Sequence, residues 1–189
     1  MRRLLAAAAA ALLAVAGCSE PGDEGDRELI PDQDPQPTWS VGCESGPNPI
    51  DGVGELTLPC LGEGSETAVG VGDRPLVVTL WASWCQPCLE EAPEIEAFYR
   101  AFGDRIDVLG VDTADTREKG RWFAEEFDFT FPSVFDADEE LRTAFGVPGL
   151  PGIAFVDPDG TVAEVVNEPG VTTESLTETA ESAFGLDLE

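Results

Sequence analysis

The chain has 189 residues, enough for one domain with extensions, and 42% of them are hydrophobic, which is ample for a single core. Its 38 acidic and 10 basic residues give a formal charge of −28. A surface of this charge repels the phosphates of nucleic acids and anionic lipid headgroups, so neither is an expected ligand.

The N-terminus has the pattern of an export signal. Arg2 and Arg3 precede an apolar run over residues 4–15, which is shorter than the ~20 residues that a membrane-spanning helix needs. Small residues then lead to Cys18, as in a bacterial lipobox, where the cysteine becomes the lipidated first residue of the mature protein. We therefore predict a lipoprotein signal peptide over residues 1–17 and lipidation at Cys18. An ordinary secretory peptide with an incidental cysteine is the alternative.

The next segment separates the signal from the folded part. Residues 18–38 are acidic, rich in Pro and Gly, and almost without apolar side chains, which predicts a disordered tether. We predict the folded domain over residues 39–189. Near its start, residues 53–58 and 68–71 have short strand patterns on either side of a Gly-rich turn, which predicts an N-terminal hairpin.

The centre of the domain is a strand followed directly by a helix. Residues 76–81 form a continuous apolar run, typical of a parallel strand buried on both faces. The run leads into Trp84-Cys85-Gln86-Pro87-Cys88, and helical periodicity continues to Phe102, with Pro93 predicted to kink the helix. The expected apolar stripe of this helix consists of Leu89, Ala92, Tyr99 and Phe102, with Ile95 beside it.

Two cysteines separated by two residues at the start of a helix predict thiol–disulfide chemistry. Backbone N–H groups and the positive end of the helix dipole stabilise a thiolate at Cys85, and Cys88 lies one turn later. We therefore expect Cys85 to be the nucleophile and Cys88 the resolving thiol. Half of a zinc site and a purely structural disulfide are the alternatives, but the chain has no histidine and a loop this short removes little chain entropy. No metal or other cofactor is expected.

The motif resembles the active site of the thioredoxin superfamily. The continuation through Glu91 and Pro93 narrows the resemblance to the membrane-anchored TlpA/ResA/DsbE-like thiol-disulfide oxidoreductases, and it extends over residues 55–185. It implies that Glu91 is an active-site glutamate that moves protons or tunes the cysteine pKa values, the alternative being a solvated glutamate like Glu90. The expected client contacts are Trp84, which would also pack beside the cysteine pair, together with Gln86, Pro87 and Leu150.

The second half of the chain alternates strands and helices. Strands are predicted over residues 106–111, 131–135, 153–156 and 161–166, and helices over residues 121–127, 139–145 and 172–184. Asp112 is expected to close the strand over residues 106–111. This order predicts a thioredoxin-like three-layer α/β sandwich, with a central mixed sheet flanked by helices. The strand at 131–135 and the helix at 139–145 resemble the central insertion of TlpA/ResA-like proteins.

A proline stands immediately before the predicted strand at 153–156, which is unusual unless it ends a turn. The resemblance implies that Pro151 is the cis-proline that faces the cysteine pair in thioredoxin-like proteins. Leu150 would then offer its backbone groups to an incoming chain. An ordinary trans proline, or Pro148 as the matching residue, is the alternative. Gly152 stands where the family often has threonine, so contacts with the substrate are expected to differ locally.

Of the five cysteines, four remain when Cys18 is assigned to lipidation. Since Cys85 and Cys88 share one motif, Cys43 and Cys60 are the leftover pair. We predict that they form a structural disulfide, which would contribute about 3 kcal/mol in the disputed chain-entropy model. A regulatory or second catalytic pair is the alternative.

These features together predict an exported enzyme that exchanges disulfides with protein clients. The resemblance most often implies a reductant in cytochrome c maturation, acting on apocytochrome c, recharged by a membrane electron donor such as a CcdA/DsbD-like protein, and lipid-anchored to the outer face of the cell membrane. An exported disulfide oxidase and a non-enzymatic binding lipoprotein are the alternatives. A peroxiredoxin motif is not expected, because Val78 and Ala82 replace its proline and its threonine or serine, and Sco-like copper delivery would need a histidine.

Overall fold

The computed structural model describes residues 36–44 and 46–188. The predicted signal peptide, the lipidation site at Cys18 and most of the predicted tether lie outside the described residues. The described part consists of β1 (Asn48–Pro49), β2 (Thr57–Pro59), β3 (Glu66–Ala68), β4 (Gly70–Val71), β5 (Leu76–Trp81), α1 (Gln86–Phe102), β6 (Asp107–Thr113), α2 (Arg117–Glu126), β7 (Ser133–Asp136), α3 (Glu140–Ala144), β8 (Gly152–Val156), β9 (Val162–Val166) and α4 (Thr173–Phe184).

A five-stranded mixed sheet forms the middle layer, in the order β7-β6-β5-β8-β9. Strand β5 lies at its centre and is buried along its whole length, as its continuous apolar run predicts. It pairs in parallel with β6 and antiparallel with β8, while β7 and β9 complete the edges. The carboxyl end of β5 therefore delivers the chain directly to the N-terminus of α1.

Each face of the sheet is covered by its own apolar core. One core joins the sheet to α1, α2 and α4, through side chains that include Phe98, Phe123 and Leu176. The other joins the opposite face to α3 and the N-terminal strands, through side chains that include Leu141 and Leu58. The predicted three-layer α/β arrangement around a mixed sheet is thus confirmed.

The predicted N-terminal hairpin is present, but its strands have other bounds. Strands β2 and β3 pair antiparallel on either side of the Gly-rich turn, rather than residues 53–58 with 68–71, and β1 pairs with β4 in addition. Gly52 and Gly54 have φ angles of 81° and 71°, so the chain turns there and cannot continue as a strand. The end of β2 is attached to the main sheet by the Leu61 N–H, which donates to the Ser133 carbonyl oxygen at 2.8 Å.

Helix α1 has the predicted bounds, but its buried face is rotated from the predicted stripe. Phe98 is fully buried, whereas Leu89, Tyr99 and Phe102 are only partly buried. Glu91 and Glu96 also belong to the buried face, and Glu96 accepts hydrogen bonds from the N–H and the hydroxyl of Thr130. Polar residues with specific partners interrupt this face, which is why the apolar pattern misjudged it.

Several predicted boundaries after α1 differ from the observed ones, among them the end of β6 and the start of α2. Strand β6 does not close at Asp112 but continues to Thr113, because β7 pairs with it as far as Asp136. Helix α2 begins at Arg117 rather than near residue 121, because the Thr116 hydroxyl caps it by accepting from the Lys119 N–H.

The segment before β1 packs against α2. Trp39 is buried, and its indole N–H donates to the Phe129 carbonyl oxygen at 2.7 Å. Thr38 donates to the Glu125 carboxylate, and Arg121 donates to the Pro37 carbonyl oxygen. Contact with the domain therefore begins before residue 39.

Among residues 36–44 and 46–188, no helix combines the length and the apolar character that a membrane crossing requires.

Candidate active site

Cys85 and Cys88 form a disulfide at the N-terminus of α1. Cys85 is the N-cap residue, and its sulfur accepts a hydrogen bond from the Cys88 N–H at 3.3 Å. The two residues are only 4% and 3% exposed. When the disulfide is reduced, a thiolate at Cys85 lies where the first N–H groups of the helix are unpaired, and this position favours the charged form of the sulfur.

The loop before β8 faces this pair. The Leu150–Pro151 peptide bond is cis, and Pro151 and Cys88 line the same small cavity. Pairing of Leu80 with Gly152 brings the loop to the end of β5, next to the start of α1. Among the described residues, neither backbone group of Leu150 has a hydrogen-bond partner.

Glu91 lines the same cavity as Cys88 and is only 2% exposed. Its Oε1 atom accepts from the Gly170 N–H at 2.6 Å and the Val171 N–H at 3.4 Å, while Oε2 has no partner among the described residues. Burial raises the pKa of Glu91, the two N–H groups partly offset this, and the charge of Glu90 adds to it. Glu91 is therefore not a solvated helix glutamate like Glu90.

The remaining expected client contacts lie at the surface beside the pair. Trp84 is 60% exposed, so it does not pack in the core beside the cysteines, and its indole N–H donates to the Ala114 carbonyl oxygen at 3.0 Å. Gln86 is exposed and Pro87 is partly exposed, both in the first turn of α1. These side chains form the accessible surface next to the buried pair.

Two residues near the site were not identified from the sequence. Asn167, which follows β9, donates from its side-chain amide to the carbonyl oxygens of Gly149 and Pro151. Asp112, expected only to close a strand, is fully buried beside Trp81 of β5. An acidic residue directly after the apolar residues 108–111 was a usable signal for Asp112, whereas the contact of Asn167 with a loop 16 residues away had none.

Asp112 has an unusual environment for a carboxyl group. Neither of its oxygens has a partner among the described residues. Burial, with a smaller contribution from the charge of Asp115, raises the pKa of Asp112 to about 8. Gly120 of α2 provides the room, because a Cβ atom there would overlap with the Asp112 carboxyl. The Asp115 carboxylate accepts from the Ser83 N–H at 2.7 Å, which connects this strand end to the loop before Cys85.

The second disulfide joins Cys43 and Cys60. Cys60 is 1% exposed and pairs with Val134 in an isolated bridge, while Cys43 is partly exposed. The bond connects the segment before β1 to the end of β2, next to β7. This location suits the predicted structural role, in which the disulfide holds the N-terminal segment to the domain.

Known proteins resemble this chain in sequence and in fold. A thiol-disulfide oxidoreductase ResA from Geobacillus thermodenitrificans is 29% identical over 94 residues, which are 49% of this chain and 54% of the relative. The chain thus spans about half the length of the curated relatives that it matches.

Two solved structures match at lower identity. A secreted Mycobacterium tuberculosis disulfide oxidoreductase homologous to E. coli DsbE has 24% identity and a TM-score of 0.62, over 70% of this chain and 98% of its own. The exposed lipoprotein thioredoxin Etrx1 of Streptococcus pneumoniae has 21% identity and a TM-score of 0.58, over 68% of this chain and 98% of its own. At these identities the likeness confirms the thioredoxin-like fold.

Residues 55–165, more than half of the chain, match the AhpC/TSA family. The match begins just before β2 and ends within β9, so it contains the central strand, the cysteine pair and the cis-proline loop. The chain therefore belongs to the AhpC/TSA family.

Proposed function

We propose that this protein is an exported thiol-disulfide oxidoreductase that exchanges disulfides with protein clients through Cys85 and Cys88. One observation carries the proposal: the second cysteine of a pair at a helix N-terminus lines the same cavity as a cis-proline and a buried glutamate. The ResA relatives, whose names state this activity, support it.

The reaction proceeds in two exchange steps. The reduced Cys85 thiolate attacks one sulfur of a client disulfide, forming a mixed disulfide, while the other client sulfur leaves as a thiolate and takes up a proton. The Cys88 thiolate then attacks Cys85 in the mixed disulfide and releases the second client thiolate. Two electrons pass to the client, and the Cys85–Cys88 disulfide is formed. The reverse sequence oxidises a client dithiol.

Glu91 acts as the proton acceptor for Cys88. The resolving thiol is buried and must lose its proton before it can attack, and the Glu91 carboxyl lies in the same cavity. Burial raises the pKa of Glu91 and so brings it closer to that of a thiol, which makes proton transfer between them easier.

In the cell, we propose that the protein is a reductant of the cytochrome c maturation type. Its clients would be apocytochromes with a Cys-x-x-Cys-His motif, and a CcdA/DsbD-like membrane protein would supply electrons. The signal pattern of residues 1–17 and Cys18 supports export and lipid anchoring at the outer face of the membrane. The secreted and lipoprotein structures with the same fold are consistent with that location.

The reduction potential of the Cys85–Cys88 pair tests the direction. We expect a value near or below about −220 mV, in the range of thioredoxins and glutaredoxins, whereas one near about −120 mV would indicate a DsbA-like oxidant. Reduction of insulin disulfides tests the activity itself, and Cys85→Ser is the variant expected to be inactive. Consumption of peroxide by the wild type tests for peroxidase activity, which is not expected. A wild-type protein that does not reduce insulin would contradict the proposal and favour a non-enzymatic binding protein.

Lipidation is tested separately. Cys18→Ala should release the protein from the membrane fraction, and mass spectrometry of the wild-type N-terminus should show a lipidated Cys18. A processed but unmodified N-terminus would instead indicate an ordinary secretory peptide.

A further inference from the structure

The connection between β9 and α4, residues 167–172, contacts both parts of the candidate active site. At its start, the Asn167 side chain bonds to the loop that contains cis-Pro151. Near its end, the N–H groups of Gly170 and Val171 donate to Glu91. One short segment is therefore hydrogen-bonded to both the cis-proline loop and the buried glutamate.

Asn167 uses its amide group in a way that few side chains can reproduce. The Nδ2 atom is 2.6 Å from the Gly149 carbonyl oxygen and 2.5 Å from the Pro151 carbonyl oxygen. An amide NH₂ has two donors, and both have an acceptor here. Aspartate has nearly the same shape but no donor, so it would place carboxylate oxygens against two carbonyl oxygens.

The two acceptors flank Leu150 in the chain. With the carbonyl groups of residues 149 and 151 bound to Asn167, the backbone groups of Leu150 are left without partners among the described residues. A segment with free backbone N–H and C=O groups can pair with an extended peptide, as an exposed strand edge does. Leu150 lies beside Cys88 through its neighbour Pro151, so such a peptide would lie next to the cysteine pair.

We propose that Asn167 is a positioning residue for client binding: it fixes the cis-proline loop so that the backbone of Leu150 is presented to an extended client segment. This inference rests on the proposed exchange of disulfides with proteins. Asn167 makes no contact with the cysteine sulfurs among the described residues, so its effect is on peptide recognition and not on the sulfur chemistry.

The test compares a peptide substrate with a small one. Asn167→Asp in the full chain is assayed with a peptide that contains one disulfide within a Cys-x-x-Cys-His sequence, and with a small aromatic disulfide that lacks a peptide backbone. We expect KM for the peptide to rise about tenfold, which corresponds to about 1.4 kcal/mol, the size of one lost hydrogen bond. The rate with the small disulfide should change by less than about twofold. The equilibrium constant for reduction of the Cys85–Cys88 disulfide should also change by less than about twofold.

Asn48→Asp is the matched control, because Asn48 is the other asparagine of the chain and its amide donates to the Pro158 carbonyl oxygen at 3.0 Å, in the turn between β8 and β9. It should leave peptide KM near the wild-type value. Asn167→Ala removes the donors without adding charge and should show the same selective effect at smaller size.

The outcomes separate this inference from the proposed function. If wild-type protein reduces the peptide but the Asn167 variants weaken peptide and small-disulfide reactions equally, or weaken neither, the positioning role is wrong. If wild-type protein reduces neither substrate, the proposed function itself fails. A selective rise in peptide KM supports both.

Discussion

Glu91 and Asp112 are buried carboxyl groups on the side of the sheet that carries α1 and α2, and they differ in what their oxygens contact. Glu91 accepts two backbone N–H groups from the connection between β9 and α4. Asp112, at the end of β6, has no hydrogen-bond partner among the described residues and lies under Gly120. Burial raises both pKa values, but only Glu91 has N–H donors that offset the effect.

The difference shows that two buried acids of one fold can have different roles, one in the candidate active site and one in stability. The donors to Glu91 lie in a segment that also holds the cis-proline loop, so this carboxyl is built into the site beside Cys88. Asp112 is tolerated because glycine leaves space for it and because a neutral carboxyl costs less to bury than a charged one. We therefore expect Asp112 to affect the free energy of unfolding and the way that this free energy changes with pH.

The largest effect is expected from Asp112→Asn. The folded-state pKa of Asp112 is raised from 3.8 to about 8, so between these two values the folded chain keeps a proton that the unfolded chain releases. The wild type therefore loses about 1.4 kcal/mol of stability per pH unit from this group as pH rises through that window. The amide introduced by the substitution does not titrate, so the stability difference between variant and wild type should grow with pH and level off above the folded-state pKa.

Urea unfolding at several pH values measures that difference. Asp73→Asn replaces an exposed acid in the same way and controls for the loss of one negative charge. Equal pH dependence of the Asp112 variant and the wild type would show that Asp112 is hydrated or paired in solution.

The second effect concerns Gly120. Replacing glycine by alanine inside a helix normally stabilises it by about 1 kcal/mol. Here the added Cβ would overlap with the Asp112 carboxyl, so Gly120→Ala should instead destabilise the domain by about 1–3 kcal/mol in urea unfolding. In an Asp112→Ala background the overlap is absent, and the same change should become stabilising. A sign that does not reverse between the two backgrounds would contradict the packing of Gly120 on Asp112.

The third effect is on catalysis, at Glu91. Glu91→Gln keeps the size of the side chain but removes its capacity to take a proton, so disulfide exchange should slow by about tenfold to a hundredfold. The raised pKa of Glu91 means that its proton-accepting form increases as pH rises, and the variant should lose that part of the pH–rate profile. Glu90→Gln, one residue away and exposed, removes only the small contribution of the Glu90 charge to the raised pKa of Glu91, so it should keep this part of the profile and shift it slightly to lower pH. Identical profiles for both variants would remove Glu91 from the mechanism.

Local sequence signals predicted much of the main sheet and its helices. The continuous apolar run of β5 and the helical periodicity of α1 identified the two elements that deliver the cysteine pair, with the bounds that the structure shows. The errors lie where partners far apart in the chain decide. Strand β6 is extended by its pairing with β7, and Glu96 is buried because Thr130 supplies its hydrogen bonds.

The sequence by itself determined the chemistry at the end of β5: two cysteines two residues apart, placed at a helix N-terminus by a strand that its continuous apolar run identifies. Only the tertiary structure decided which other groups meet there. Glu91, Pro151 and Asn167 come together through loops and a sheet, so no local period connects them. Helical and strand periods report contacts within a few residues, whereas burial, pKa and hydrogen-bond partners depend on how distant segments pack.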